Sequence, residues 1–148
     1  MEQTRRHWAL ALAAAATAAS KAADAAAKPE MLPSLALPYD DMKVKTNADG
    51  GASRQVLDGL THSGYHIDMH ITTLAPGKMP HPAHEHEHEE MVMLRTGTLE
   101  ITINGKVTKV GPGSVVYVHS MEHHGWKNIG DTPAEYFVLA LGRTVNQA

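Results

Sequence analysis

The chain contains no cysteine among its 148 residues. This absence excludes disulfide bonds, thiolate metal sites and cysteine nucleophiles. Any metal site must therefore use nitrogen and oxygen ligands. A Gly-x-Ser-x-Gly segment is also missing, so the sequence gives no support to serine hydrolase chemistry of that type.

An excess of one charge is missing as well. Lys and Arg total 13 against 16 Asp and Glu, which gives a formal net charge of −3, and like charges form no run outside one His/Glu-rich segment. A nucleic-acid-binding protein would carry a basic patch or stripe. We therefore expect no nucleic-acid partner. The length and the 43% hydrophobic content suit a single domain with one core.

The start of the chain has the pattern of an export signal. Arg5 and Arg6 precede an apolar, alanine-rich stretch from Trp8 to Ala19, which is shorter than the roughly 18 residues that span a bilayer. We predict a signal peptide over residues 1–27, with cleavage after the alanine triplet that ends at Ala27. A second choice for cleavage is the Ala18-Ala19-Ser20 triplet.

The arginine pair resembles a twin-arginine signal, although Trp8 and Ala9 stand where that signal usually has Phe and Leu. The expected location is periplasmic or secreted, in a bacterium, with no membrane association once the signal is removed. The alternatives are an N-terminal alanine helix or an organelle transit peptide. Residues 28–52 are predicted to be an extended arm because Pro29, Pro33 and Pro38 interrupt its first part.

From residue 53 to residue 142 the pattern predicts an all-β domain, followed by a tail at 143–148. Short segments rich in Val, Ile, Thr and Tyr alternate with Gly and Pro turns. Asn104-Gly105 predicts a tight hairpin, because a type I′ turn needs positive φ at both central residues. Eight short strands imply a sandwich or barrel. The predicted strands are 54–61, 65–74, 91–96, 98–103, 106–110, 115–119, 124–129 and 135–141.

One segment, His81 to Glu90, is dense in histidine and glutamate. Within it, His84 and His86 are one residue apart, so on an extended backbone their side chains point to the same face. Glu90 can complete a set of ligands from the next strand, and His124 offers an imidazole from a distant one. The pattern therefore predicts a metal site. The plainer alternative is a solvated His/Glu stretch that binds metal loosely.

These residues resemble the two motifs of the cupin superfamily. Gly77, His84, His86, Glu90 and Gly97 match the first motif, with one extra residue after Gly77, and His124 and Asn128 match the end of the second. The second motif departs at two positions, where His119 replaces Pro and Met121 replaces Gly. The resemblance covers residues 54–141 and implies a jelly-roll β-barrel.

The resemblance also implies one divalent metal ion held inside the barrel by His84, His86, Glu90 and His124, with one or two positions open for water or substrate. Such a ligand set suits Fe(II), while Mn, Ni, Cu and Zn stay open. We expect a metal-dependent enzyme, oxygenase-like, acting on a small organic molecule. The alternative is a non-catalytic periplasmic module that binds a small ligand or metal.

The remaining polar side chains are harder to assign. His81 and His88 are expected in solvent or beside the ligands, and His123 is expected to face away from His124. On the strand 65–74, we expect the His66, Asp68 and His70 face to meet water or the partner chain of a homodimer, and the alternating apolar face to meet the core. Candidate proton-transfer groups on the barrel lining are Tyr117, His119, Glu122 and Arg95. Four methionines are expected to line an apolar pocket or to fill the core: Met69, Met91, Met93 and Met121.

Overall fold

A computed structural model describes residues 31–143 of the chain. The predicted signal peptide at 1–27 lies outside the described residues, as does the predicted tail beyond residue 143. Within the described range, the residues form nine strands and one short 3-10 turn, Tyr39–Asp41. No helix in this range is long and apolar enough to cross a membrane.

The strands are β1 (Val44–Thr46), β2 (Ala52–Leu60), β3 (His66–Leu74), β4 (Glu89–Thr96), β5 (Leu99–Ile103), β6 (Lys106–Val110), β7 (Val115–Val118), β8 (His124–Asn128) and β9 (Ala134–Gly142). The eight predicted strands correspond to β2 to β9, with bounds that differ by at most two residues. The Asn104-Gly105 hairpin is confirmed, since both residues have positive φ and β5 pairs with β6 on either side of them.

The strands form two antiparallel sheets. The larger sheet has the order β1-β2-β3-β9-β4-β7, and the smaller has the order β6-β5-β8. Strands distant in sequence are neighbours in each sheet, which confirms the all-β, jelly-roll type of barrel. The long β3·β9 ladder runs from His66 opposite Gly142 to Leu74 opposite Ala134, so it fixes which residues of the large sheet face inward.

The core lies between the two sheets and fills one end of the barrel. The large sheet contributes mainly Val, Leu and Tyr, and the small sheet contributes Leu99, Ile101 and Trp126. Tyr136 is fully buried, and its hydroxyl accepts a hydrogen bond from Trp126 Nε1 at 2.9 Å across the gap between the sheets. Because this end is packed with apolar side chains, the open space is at the other end.

The segment before β2 packs on the outside of the large sheet. Leu32 donates its backbone N–H to the Leu60 carbonyl at 2.8 Å, and the Tyr39 hydroxyl donates to Glu135 at 2.7 Å. The guanidinium of Arg54 lies 4.4 Å from the centre of the Tyr39 ring, a cation–π contact. This part of the predicted arm is therefore attached to the barrel, and it adds the exposed edge strand β1.

Candidate metal centre

His84 and His124 are distant in the sequence and lie opposite each other in the barrel. His84 belongs to the loop before β4, and His124 is the first residue of β8. Each donates its backbone N–H to the carbonyl of the other, at 2.9 and 2.8 Å. This two-way bridge holds the imidazole centroids 5.1 Å apart. The His86 ring lies 5.1 Å from that of His84 and 4.7 Å from that of His124.

Backbone carbonyls orient all three imidazoles. Nδ1 lies 3.3 Å from the Pro82 carbonyl in His84, 2.8 Å from the His88 carbonyl in His86, and 2.7 Å from the Glu122 carbonyl in His124. A carbonyl oxygen can only accept, so Nδ1 carries the proton in each contact. In the neutral ring, Nε2 then keeps the lone pair that a metal ion requires.

The Glu90 carboxylate meets these imidazoles from the second residue of β4. Its Oε2 lies 3.0 Å from His124 Nε2 and 3.6 Å from His86 Nε2, and the side chain is buried. Burial alone would raise the pKa of Glu90, but the hydrogen bond and the charge of His124 outweigh it and lower that pKa. Burial likewise opposes charge on His124, and the Glu90 contact instead raises its pKa. The two groups therefore favour each other's charged form.

The donor set fits a divalent metal ion. Donor atoms of His84, His86 and His124 lie within 4.8 Å of one another, and Glu90 touches two of these rings. His86 Nε2 is buried and has no hydrogen-bond partner among the described residues. A buried polar atom in that state is costly unless a further group binds it. Three nitrogen donors and one carboxylate match the preference of Fe, Mn, Ni, Cu and Zn ions.

His88 is buried beside the centre and is not the solvated loop residue that was one of its two expected placements. Its donor atom also groups with those of His86 and Glu90 within 4.8 Å. However, its ring stacks on His86 with centroids 3.5 Å apart and planes 12° apart. Lone pairs of parallel stacked rings lie in separate planes, so both rings cannot direct them to one ion. His88 therefore packs against His86 while its carbonyl accepts the His86 Nδ1–H.

The centre opens onto a cavity of about 280 Å³. Histidines and Glu90 form one wall, and the inward face of β2, β3 and β9 forms another. Trp126 and Tyr136 close the end next to the apolar core. The full lining is Ser53, Gln55, Asp68, His70, Thr72, Pro80, His81, His84, His86, His88, Glu90, Trp126, Tyr136, Val138 and Ala140.

The expected orientation of β3 is wrong. Asp68 and His70 line the cavity, and Asp68 is buried. The apolar side chains Ile67, Met69 and Ile71 are on the opposite face, which is the outside of the large sheet. Alternation shows that a strand has two faces, but it does not show which face points into the barrel. The prediction placed the apolar face inside, whereas the interior of this barrel is polar near the cavity. The homodimer stays a prediction, but Asp68 and His70 are not available for its contact.

The four candidate proton-transfer groups were expected on the barrel lining. This prediction is wrong, because none of the four is among the residues that line the cavity. Tyr117 and His119 are exposed, and Arg95 pairs with Glu135 at 2.7 Å on the outer face. Glu122 accepts a hydrogen bond from Asn104 near the β5–β6 hairpin. None of the four expected methionines lines the cavity either. Met121 is exposed, and the other three are part-buried on the outer face. His123 is exposed, as expected.

Gly97 and Asn128 of the two motifs serve the scaffold around the centre. Gly97 has φ +87°, and a Cβ there would lie 2.5 Å from the Ala134 Cα, so only glycine fits. Asn128 is fully buried, and its amide donates to the carbonyls of Leu74 and Thr132, both at 2.9 Å. These hydrogen bonds tie the end of β8 to the loop between β8 and β9. Asn128 is the last residue of β8, and His124 is the first.

Residues 70–140 match the family profile described as the cupin domain. The fold is similar to that of an RmlC-like cupin from Shewanella frigidimarina, with a TM-score of 0.60 and 13% identity over 77% of this chain and 93% of that one. It is similar to a predicted oxalate decarboxylase from Thermotoga maritima, with a TM-score of 0.58 and 20% identity over 73% and 99%. The polyketide cyclase RemF from Streptomyces resistomycificus gives a TM-score of 0.60 and 16% identity over 78% and 88%. At these identities the likeness shows the fold alone.

A curated relative matches a shorter stretch. Fifty residues are 32% identical to part of the HTH-type transcriptional activator RhaS from Mannheimia succiniciproducens. The match covers 34% of this chain and 19% of the activator, so it spans less than a fifth of that relative.

Proposed function

Because this chain belongs to the cupin superfamily, we propose that it is a small metal-dependent enzyme, oxygenase-like, that acts on an organic molecule inside the barrel. Fold alone does not choose among the many activities a scaffold can host. The proposal therefore depends on the site, where three oriented imidazoles and one buried carboxylate meet at the wall of a cavity.

The observation that carries the proposal is the way the three rings are fixed. Each Nδ1–H is committed to a backbone carbonyl, so each Nε2 is turned toward the centre. His124 Nε2 contacts the Glu90 carboxylate there, and a bound ion would replace the proton between them. Supporting groups of this kind raise the basicity of metal-bound histidines and hold their orientation. A loose, solvated His/Glu stretch would not have His88 and Glu90 buried, with Glu90 in contact with the fully buried His124.

His84, His86, Glu90 and His124 would hold the ion. When bound, a divalent ion polarises an oxygen of the substrate, and a redox-active ion such as Fe(II) also supplies one-electron chemistry. The chain's own residues orient the ligands and exclude water at the Trp126 and Tyr136 end. The opposite wall supplies the polar contacts that orient a small molecule in the cavity.

A non-catalytic ligand-binding module is the second candidate. It is supported by the relative described as a transcriptional activator, since that description names no enzyme activity. In such a module, the same four residues would hold the ion, and the cavity would bind a small ligand without converting it.

Metal analysis followed by a turnover assay tests the proposal. Protein purified from its native compartment should carry one divalent ion per chain, and His86→Ala should carry none. The Fe-loaded protein should then consume oxygen with a suitable organic substrate. Stoichiometric metal without turnover of any candidate substrate would favour the binding module, and absence of metal uptake would overturn both.

A further inference from the structure

The cavity wall opposite the centre carries a second polar group of residues. In the large sheet, Glu90 of β4 and Asp68 of β3 are both registered opposite Ala140 of β9. The two carboxylates therefore stand in one row with a small alanine between them. Two strand spacings separate their backbones, which is about 10 Å. That gap lies over a residue too small to fill it, and it accommodates a small molecule.

Asp68 is held by its neighbours and points into this gap. Its Oδ1 accepts a hydrogen bond from Gln55 Nε2 at 2.8 Å and lies 3.5 Å from His70 Nδ1. The hydrogen bond to His70 lowers the pKa of Asp68, and the Gln55 contact adds to this against the opposing effect of burial. With its Nδ1–H directed to Asp68, neutral His70 keeps Nε2 as an acceptor. The wall therefore presents hydrogen-bond acceptors to the cavity.

The lining also lacks positive side chains, since neither Lys nor Arg is among the described residues that surround the cavity. Two carboxylates, Asp68 and Glu90, lie there instead, together with the hydroxyls of Ser53, Thr72 and Tyr136. A substrate anion would find no Lys or Arg to pair with and would meet the Asp68 carboxylate. Like charges at such distances in a poorly solvated site are unfavourable.

We propose that Gln55, Asp68 and His70 form the recognition wall for a small, uncharged substrate that carries hydroxyl and carbonyl oxygens. This inference rests on the proposed function, because it places the substrate between this wall and the ion. Substrate hydroxyls donate hydrogen bonds to Asp68 and to His70 Nε2, and oxygen lone pairs at the other end of the molecule face the ion. The cavity volume of about 280 Å³ is near the lower limit for ligand sites, so the substrate is small.

The test is a titration of the Co(II)-loaded protein followed by its visible absorption spectrum, which reports binding without any turnover. Two probes of similar size differ in charge: dihydroxyacetone is neutral with two hydroxyls, and oxalate is a dianion without a donor. Asp68→Asn should weaken dihydroxyacetone roughly ten- to hundred-fold, as expected for loss of a hydrogen bond to a charged group.

The expected change in oxalate affinity has the opposite sign, which separates a loss of recognition from general damage to the cavity. Asp68→Asn removes a like charge, so oxalate affinity should stay the same or rise, whereas a distorted cavity would weaken both probes. Asp49→Asn changes an exposed carboxylate in the loop between β1 and β2 and should alter neither affinity. If Asp68→Asn does not fold, His70→Gln serves instead, with a loss of dihydroxyacetone affinity and no loss for oxalate.

Two results overturn the inference while leaving the proposed function intact: unchanged dihydroxyacetone affinity in the variants, or a loss of oxalate affinity in Asp68→Asn as large as the loss for dihydroxyacetone. A chain that takes up no Co(II) overturns the proposed function itself, and this inference with it. The spectrum of the loaded protein before any probe is added distinguishes these cases.

Discussion

His84 and His124 exchange both backbone hydrogen bonds across the mouth of the barrel, at 2.9 and 2.8 Å. The bridge joins the loop before β4 to the first residue of β8, so the two imidazoles meet only when the barrel closes. The nearby Gly125 has no side chain, and a Cβ there would lie 3.0 Å from the Ala83 side chain. The centre is therefore a product of the tertiary fold rather than of the His-rich segment alone.

Two neighbouring histidines should differ sharply in their effect on metal content. His86→Ala removes a ligand and should abolish stoichiometric metal in elemental analysis. His88→Ala removes the ring stacked on His86 but leaves the backbone carbonyl that orients it. That variant should keep one ion per chain with an affinity lowered roughly 10- to 100-fold, measured by competition with a chelator. Unchanged metal in His86→Ala would show that the ligand assignment is wrong.

Two glycines with similar backbone angles should respond differently to alanine. Gly97 has φ +87° and a close approach to Ala134, whereas Gly105 has φ +79° and open space around the position of a Cβ. Gly105→Ala should cost about 1–2 kcal/mol from backbone conformation alone. Gly97→Ala should lower the free energy of unfolding by about 3 kcal/mol or more, since overpacking against Ala134 adds to the same backbone cost. Urea unfolding measures both, and equal costs would contradict the close contact at Gly97.

Most of the fold was predictable because its signals are local. Short segments rich in Val, Ile, Thr and Tyr, separated by Gly, Pro and the Asn104-Gly105 turn, located β2 to β9 to within two residues. Strand β1 was missed because its three residues, Val44–Thr46, are all exposed and show no burial pattern. The 3-10 turn at Tyr39–Asp41 was missed as well, and it buries none of its residues.

The candidate site was predictable only where spacing carries the information. The His84, His86, Glu90 and His124 set follows from motif positions, and the barrel does bring these residues together. The residues of the opposite cavity wall could not be predicted from the sequence, because the side of β3 that faces inward depends on its pairing with β9. Asp68 and His70 had the composition of a solvated face, and only their pairing opposite Ala140 and Val138 shows that they line the cavity.

The contact between Trp126 and Tyr136 should be measurable in stability. Burial raises the pKa of Tyr136, so its hydroxyl stays neutral and accepts the indole N–H. Tyr136→Phe leaves that buried N–H without its acceptor and should cost about 1–3 kcal/mol in the free energy of unfolding. Tyr65→Phe changes a ring that is 51% exposed and should cost less than about 0.5 kcal/mol. Similar losses in both variants would argue against a specific effect of this hydrogen bond.

Stability in acid should depend on Asp68. Its folded pKa lies below the ordinary value of 3.8, mainly because of the His70 hydrogen bond, with Gln55 adding to it. A depressed folded pKa means that the carboxylate stabilises the fold above its unfolded pKa, and that this contribution is lost as the pH falls through the folded value. The wild-type chain should therefore be more stable than Asp68→Asn near pH 5, and the difference should shrink toward pH 2.

The comparison starts near pH 5, above the ordinary value of 3.8 for an aspartate, and His66 and His70 both act on the Asp68 carboxylate. Two further carboxyl groups lie near Asp68: Asp58 of β2, registered opposite it, and Glu90, in the same row beyond Ala140. They are present in both proteins, so their effects largely cancel in the difference. Both proteins are first treated with a chelator so that metal release does not contribute, and thermal unfolding is followed by circular dichroism. A difference that stays constant or widens from pH 5 to pH 2 would show that the Asp68 carboxylate does not carry the stabilisation.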